Sequence, residues 1–108
     1  MSLSDFLSPI SFNSAPDGLY TSHLGSKIEM HHTDFPDLDS NTYDIAIIGV
    51  QEDRNATGNT GTALSADYFR EKFYSLNEGN YTTRIVDVGN IKAGHTVSDT
   101  YVALKLVV

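Results

Sequence analysis

The stretch that decides the fold, residues 43–91, reads YDIAIIGVQEDRNATGNTGTALSADYFREKFYSLNEGNYTTRIVDVGNI. It opens with an unbroken apolar run, Ile45–Val50, and a second apolar run, Ile85–Val88, follows near its end. A polar loop that carries glycines, 51–62, and a helix pattern, Ser65–Leu76, lie between the two runs. Strand, loop, helix and strand in this order predict an α/β fold built on one βαβ unit, with a parallel sheet and a right-handed crossover.

The sequence predicts how the first strand is buried and where the second strand ends. Tyr43–Val50 has no polar alternation, so both of its faces are predicted to be covered. Arg84–Val88 is predicted to end where Gly89-Asn90 turns the chain out of the sheet. Asp87 within that strand is interpreted as a structural residue that bonds loop amides or caps a turn.

The helix between the strands is predicted from its cap and its apolar spacing. Ser65 is the expected N-cap residue, and Gly79 is the expected C-terminal stop. Phe69, Phe73 and Leu76 fall at helical spacing and form one apolar stripe. We expect that stripe to lie on the sheet.

The chain before the core, residues 1–42, is predicted to be an extension with an edge strand, and 43–108 is the predicted core. Residues 1–26 are rich in Ser, Pro and Gly, with single apolar residues that follow no period. They predict an irregular segment with at most a short helix near 3–8. Length bounds the chain to a single α/β domain of 108 residues.

The predicted edge strand is Lys27–His32, where apolar and polar residues alternate. Ile28 and Met30 are expected to face inward, with Glu29 and His31 on the solvated side. These residues include imidazoles and carboxylates, and a metal cluster is one interpretation of them. Neighbouring strand residues point to opposite faces, which favours a solvated edge strand instead. The set weighed for that cluster is His23, Glu29, His31, His32 and Asp34.

The last stretch predicts a second helix. Thr96–Asp99 has the pattern of a helix start with a capping carboxylate. Tyr101, Leu104 and Val108 then follow helical spacing, with Val97 before them. An apolar helix pattern without a stop signal favours a piece of a longer protein, and a C-terminal helix docked in the core is the alternative.

Composition excludes several classes of function. The net charge of −7 and the pI of about 4.7 argue against nucleic acid and anionic membranes as partners, because phosphates attract Lys and Arg. The absence of cysteine excludes disulfides and zinc–thiolate sites. The N-terminal residues have no signal-peptide pattern, so a cytoplasmic location is expected.

Charged and amide groups follow both predicted strands. Gln51–Asn55 and Asp87–Asn90 come at their carboxyl ends, which is the edge where open parallel sheets bind ligands. A solvated loop with a local Asp–Arg pair is the other interpretation of the first group.

Gly58–Gly61 before a helix could cradle a phosphate in a small phosphate- or nucleotide-binding α/β domain, although neither G-x-G-x-x-G nor G-K-[ST] is present. His95 is interpreted as a turn or capping residue, and no residue is assigned a catalytic role.

Four stretches in order resemble one known family: DIAIIGVQEDRNA (44–56), NTGTALSADYFR (59–70), IVDVGNI (85–91) and TVSDT (96–100). They are similar to the opening of the arginase, agmatinase and formimidoylglutamase family, the ureohydrolases. The shared features are a strand that ends in G-V, a loop with Gly and Asn, and a helix start of small residues followed by Arg. A D-x-G-N strand end and its helix complete the set. Gln51 stands where the family usually has proline, so no particular substrate is implied.

The resemblance implies a partial three-layer α/β/α fold, and a parent protein that uses two manganese ions to hydrolyse a C–N bond of a linear amidine or guanidino group. It also places the loop Glu52–Asn59 near the mouth of the active site. The candidate substrate-loop residues are Glu52, Asp53, Arg54, Asn55 and Asn59.

The family's metal motifs, G-G-x-H, D-x-H-x-D and S-x-D-x-D, do not occur in this sequence. His32-Thr33-Asp34 gives H-x-D, but Met30 replaces the first Asp. The chain alone is therefore expected to hold no cofactor and to be inactive. Its expected partner is the remainder of the parent chain or a second copy of itself, and a non-catalytic oligomerising module is the alternative function.

Overall fold

The computed structural model describes residues 3–10, 25, 28–59, 61–76 and 82–108. Within these residues the chain forms a mixed four-stranded sheet with helices, so the predicted α/β class is confirmed. In chain order the elements are a 3-10 helix (Leu3–Phe6), β1 (Leu7–Ser8), β2 (Glu29–Met30), β3 (Ile45–Val50), a second 3-10 helix (Thr62–Leu64), α1 (Ser65–Phe73), β4 (Ile85–Ile91) and α2 (Val97–Val107).

Strand β4 is the centre of the sheet. β3 runs parallel to it along its whole length, from Ile45 opposite Ile85 to Val50 opposite Ile91. β2 is also parallel to β4, and β1 is antiparallel, which makes the sheet mixed. Because β3 occupies one edge of β4 from end to end, β1 and β2 share the other edge. The predicted parallel pairing of the two main strands is therefore present.

The N-terminal segment contributes to the sheet where the structure describes it. Leu3–Phe6 forms the short helix that the sequence allows near residues 3–8, and Leu7–Ser8 then pairs with the end of β4. Leu7 is buried in the core cluster. Most of the remaining predicted irregular segment, 11–24, lies outside the described residues.

The core lies on the face of β4 that carries Val86 and Val88. These two residues form the buried cluster with Leu7 and Ile91. Helix α2 covers the cluster with partly buried side chains, those of Ala103, Leu104 and Val107.

The prediction that the second strand ends at Val88 and turns at Gly89-Asn90 is wrong. β4 continues to Ile91, because a bulge absorbs the glycine within the strand. Ile47 lies opposite Asp87 and Ile48 opposite Gly89, so Val88 is the extra residue. Gly89 has φ +99°, a conformation that glycine adopts at little cost.

Strand β3 is more exposed than its sequence predicts. Ile45 is 48% exposed and Val50 is 37% exposed, so the expectation that both faces are covered is wrong. The physical reason is position: among the described residues, β3 pairs with β4 alone. An apolar run in the sequence identifies the residues of a strand, but it does not show whether a second strand pairs with its outer edge.

Helix α1 turns a different face to the sheet from the one predicted. Phe69 is 53% exposed and Leu76 lies exposed beyond the helix, whereas Arg70 and Tyr74 are buried. The apolar stripe prediction is therefore wrong, because a buried carboxylate on β4 selects polar partners from the helix. Ser65 is the first helical residue and not the side-chain cap. The predicted stop, Gly79, is outside the described residues.

Helix α2 begins as predicted. Thr96 accepts a hydrogen bond from the Asp99 N–H and the Asp99 carboxylate accepts one from the Thr96 N–H, a complete capping box. The buried side of the helix is rotated from the predicted stripe, since Thr100 is fully buried while Tyr101 and Val108 are exposed. In the part of the chain that the structure covers, no helix has the length and apolarity needed to cross a membrane.

Within the described part of the predicted edge strand, residues 28–32, the strand covers Glu29–Met30, and Lys27 lies outside the described residues. Ile28 is buried as expected, but the prediction that His31 is solvated is wrong. The chain leaves the regular strand after Met30, and the His31 ring turns inward. Its Nδ1 lies 3.0 Å from the Val88 carbonyl oxygen, and Phe35 packs edge-on at 5.0 Å between ring centroids.

Candidate functional site

A buried ion pair joins helix α1 to strand β4. Arg70 Nε donates to Asp87 Oδ2 at 2.6 Å, and Nη2 donates to Asp87 Oδ1 at 3.0 Å. Asp87 is 0% exposed and Arg70 is 1% exposed. A bidentate pair removed from water is stable only when its remaining donors and acceptors are also satisfied.

The rest of the network meets that requirement. Arg70 Nη1 donates to Asn90 Oδ1 at 2.7 Å, and Nη2 also reaches the Gly89 carbonyl oxygen at 3.3 Å. Asp87 accepts the Gly89 N–H at 3.0 Å and the hydroxyl of Tyr74. Burial, and next the hydrogen bond to Asp87, raise the pKa of Tyr74, so its hydroxyl remains a donor. Asp87 is therefore structural, as predicted.

Gly49 on β3 leaves the space that Asn90 uses. A Cβ atom at Gly49 would overlap Asn90 Oδ1 and come within 3.0 Å of Ala66 Cβ on α1. The absence of a side chain thus lets β3, β4 and α1 approach one another. The Asn90 amide fills the gap and presents its oxygen to Arg70.

A second cluster links the loop after β3 to the loop after β4. Arg54 Nε donates to Glu52 Oε2 at 2.8 Å, and Nη2 pairs with Oε1. Arg54 also donates to the carbonyl oxygens of Gly94 and His95, both at 3.0 Å. Thr100 Oγ1 donates to Glu52 Oε1 at 2.7 Å. This clamp holds the loop after β3 against the loop after β4, but the predicted second group, Asp87–Asn90, is not part of it, because those residues lie within β4.

Contacts within the clamp shift the pKa values of Glu52 and Arg54. Hydrogen bonds from Arg54, and then from Thr100, lower the pKa of Glu52 to about 2. The same carboxylate raises the pKa of Arg54. Glu52 is thus a poor proton acceptor at neutral pH, and the Arg54 guanidinium is already occupied by protein acceptors. These two candidate residues act on the shape of the loop.

Asp53 holds the start of the helical segment. Its Oδ2 accepts the N–H of Gly61 at 2.6 Å and that of Ala63 at 3.2 Å. Those amides are the donors that a phosphate would use in this glycine-bearing loop. Because Asp53 occupies them, the structure gives no support to a phosphate cradle here.

Asn55 and Asn59 lie in the exposed part of the same loop. Two tight turns shape it: the Thr57 N–H donates to the Asn55 carbonyl oxygen and the Asn59 N–H to that of Ala56. Of the five candidate residues, Glu52, Asp53 and Arg54 are therefore bound within the protein, and the two asparagines face solvent.

No metal centre is assembled in the part of the chain that the structure covers, where no group of three His, Asp or Glu side chains could hold an ion. His31 is directed at a carbonyl oxygen, and His32 and Asp34 are exposed. His23 lies outside the described residues. His95 contributes its backbone carbonyl to Arg54, in keeping with its interpretation as a turn residue.

Sequence reasoning missed several members of both clusters. Arg70 on α1 and Tyr74 at its C-terminal end, four residues apart, were available as a polar stripe facing a strand that contains Asp87. Thr100 and Asn90 carry no distinguishing signal, because their roles depend on contacts with residues 20 or more positions away in the sequence. No protein-family model, curated protein or solved structure matches the chain.

The lowered pKa of Glu52 predicts an acid-dependent loss of stability. The folded value lies below the ordinary 4.5, so the contribution of Glu52 is fully present above pH 4.5 and is lost as pH falls toward 2. We expect Glu52→Gln to flatten this part of the stability profile. Urea denaturation between pH 2 and 6 measures the effect.

Asp34→Asn, on an exposed loop, is the control for losing one carboxylate. Its profile should follow that of the unmodified chain. A Glu52→Gln profile that is parallel to both would show that the ionisation of Glu52 does not contribute to the acid-dependent loss of stability.

Proposed function

We propose that the chain is the N-terminal α/β segment of a ureohydrolase-like protein. The whole protein would hydrolyse a C–N bond of a linear amidine or guanidino compound, and its location would be cytoplasmic. The observation that carries the proposal is the convergence of residues from separate stretches of the resemblance. Gly49, Arg70, Asp87, Gly89 and Asn90 meet in one buried network.

The placement of the helices is consistent with the three-layer α/β/α arrangement that we propose. α1 reaches the side of β4 that carries Asp87, through Arg70 and Tyr74. α2 packs against the side that carries Val86 and Val88. Helices on both faces of a sheet are typical of α/β folds with parallel strands.

The proposed contribution of this segment is to shape the mouth of the site. The Glu52–Arg54 clamp fixes the base of the loop, and Asp53 fixes its return to the helix. Asn55 and Asn59 are left exposed as amides that a polar substrate could contact. Two manganese ions would supply the activated hydroxide, but the described residues do not fit such a centre, so no step of the reaction is assigned to this chain.

The proposal predicts different results for the chain alone and for its full reading frame. The 108-residue chain should bind Mn²⁺ no more tightly than a protein without a metal site, and should not hydrolyse arginine, agmatine or formimidoylglutamate. The gene product that is read through any codons after Val108 should hydrolyse one of them with Mn²⁺. Calorimetry and a urea- or ammonia-release assay measure the two properties.

Two results would overturn the proposal. One is stoichiometric, tight Mn²⁺ binding by residues 1–108 alone. The other is a reading frame that stops directly after Val108, or a longer product that remains inactive on all three compounds with metal present.

Asn55→Ala and Asn59→Ala in an active product should raise KM without unfolding the protein, because both side chains are exposed.

A further inference from the structure

The outer edge of β3 has the features of an unfilled pairing site. The Ile45 N–H donates to the Arg84 carbonyl oxygen, toward β4. Alternation along the strand then directs the N–H and C=O groups of Ala46, Ile48 and Val50 away from β4. Among the described residues, no strand lies on that side. Three donors and three acceptors are therefore presented along one edge.

The edge lacks the features that usually prevent pairing with another chain. Proteins protect edge strands with charged residues, proline, or bulges. Ile45–Val50 contains no charged residue and no proline, and the bulge of this sheet lies on β4. The adjoining groove is lined by Ser65, Ala66 and Phe69 of α1.

We propose that a second copy of this chain pairs with this edge, antiparallel and across a two-fold axis at Ile48. In this register Ala46 of each copy faces Val50 of the other, and Ile48 faces Ile48. All six donors and acceptors at each edge then have partners, giving six hydrogen bonds between the copies. The edge is self-complementary because its three outward residues are symmetric about the middle one, as an isologous interface requires. The pairing is proposed for the 108-residue chain by itself, and it does not use the hydrolase function.

Exposed apolar side chains on β3 and on the helical segment that follows it supply apolar area for an interface. Ile45, Val50, Leu64, Tyr68 and Phe69 are between 37% and 66% exposed. Together they leave on the order of 500 Å² in water, since one aromatic side chain can bury roughly 150–250 Å². A standard interface covers roughly 800 Å² on each partner, a little over half of it apolar.

The charge of the chain sets the conditions for pairing. Each copy carries −7, and this repulsion opposes dimerisation at low ionic strength. No charged side chain lies within the paired strands, so no like charges meet at the axis. We therefore expect the dimer to become tighter as salt is added.

The test is sedimentation equilibrium of the 108-residue chain and of two variants. Ala46→Pro removes an outward N–H but no hydrogen bond to β4, because proline is tolerated on edge strands. It should raise the dimer Kd by about 10- to 100-fold, the loss of two hydrogen bonds per dimer. Val102→Ser, on the exposed face of α2, is the matched control and should leave Kd unchanged.

Hydrogen exchange of the unmodified chain provides a measurement that does not depend on a variant folding. Amides of Ala46, Ile48 and Val50 should exchange more slowly as protein concentration rises. Amides of Ile47 and Gly49 face β4 and should be protected at every concentration. A chain that remains monomeric at high concentration and salt overturns the proposal, as does a dimer that Val102→Ser disrupts and Ala46→Pro does not.

Discussion

Replacing Asp87 with alanine is expected to lower the free energy of unfolding by about 3–5 kcal/mol, because it leaves a buried guanidinium without its counter-charge. Arg70 keeps bonds to Asn90 and Gly89 in the variant, but neither carries a negative charge. A domain of this size has a total stability of roughly 5–15 kcal/mol. Urea denaturation at pH 7 should thus show a chain that is close to unfolding.

Two further variants separate the ion pair from other causes. Asp67 also lies near Arg70, at 3.7 Å, but its side chain is 34% exposed. Asp67→Ala should cost less than about 1 kcal/mol. The double variant Arg70→Met with Asp87→Leu removes both charges, and should recover most of the loss. A single Asp87→Ala variant within about 1 kcal/mol of the unmodified chain would contradict this account of the core.

The second large effect is expected at Gly89. An alanine Cβ there would overlap the carbonyl oxygen of Ser8 and lie 3.0 Å from His31 Nδ1. The backbone at φ +99° is also unfavourable for a residue with a side chain. Strain and overlap together should cost about 2–5 kcal/mol and displace β1 from the sheet. Thermal unfolding followed by circular dichroism measures the loss.

Gly61 provides the matched control, since its φ of +104° is nearly the same and a Cβ there meets no atom within 4 Å. Gly61→Ala should therefore show the backbone strain alone, about 1–2 kcal/mol. Equal losses at the two positions would mean that the contact with β1 adds nothing. Weaker hydrogen-exchange protection of Lys92, whose N–H donates to Phe6, would report the displacement of the N-terminal segment.

Elements whose signals are local could be predicted from the sequence. The capping box at Thr96 and Asp99 uses residues three apart, and it forms as expected. The two apolar runs and the helix pattern between them gave the parallel pairing of β3 and β4, although the ends of the elements differed by a few residues. Glu52 and Arg54 meet Gly94 after the end of β4, but Asp87–Asn90, which was predicted to lie beside them, is inside that strand.

Burial depends on neighbours and could not be predicted in the same way. The apolar residues of β3 and α1 were expected in the core, yet Ile45 and Phe69 are largely exposed. Arg70 is buried because Asp87 lies opposite it, a relation that joins residues 17 apart on different elements. Hydrophobic periodicity carries no information about such a pair, since both residues count as polar.

Because of the bulge in β4, the Arg70 guanidinium can reach both Asp87 and Asn90. Asp87 and Asn90 are three positions apart, and in an uninterrupted strand an odd separation places side chains on opposite faces. The extra residue, Val88, shifts the alternation of side chains along the strand by one position, so both polar groups face Arg70. Ile91 correspondingly joins Val86 and Val88 on the apolar side. A single inserted residue thus brings two polar groups to one face and keeps the opposite face free of them.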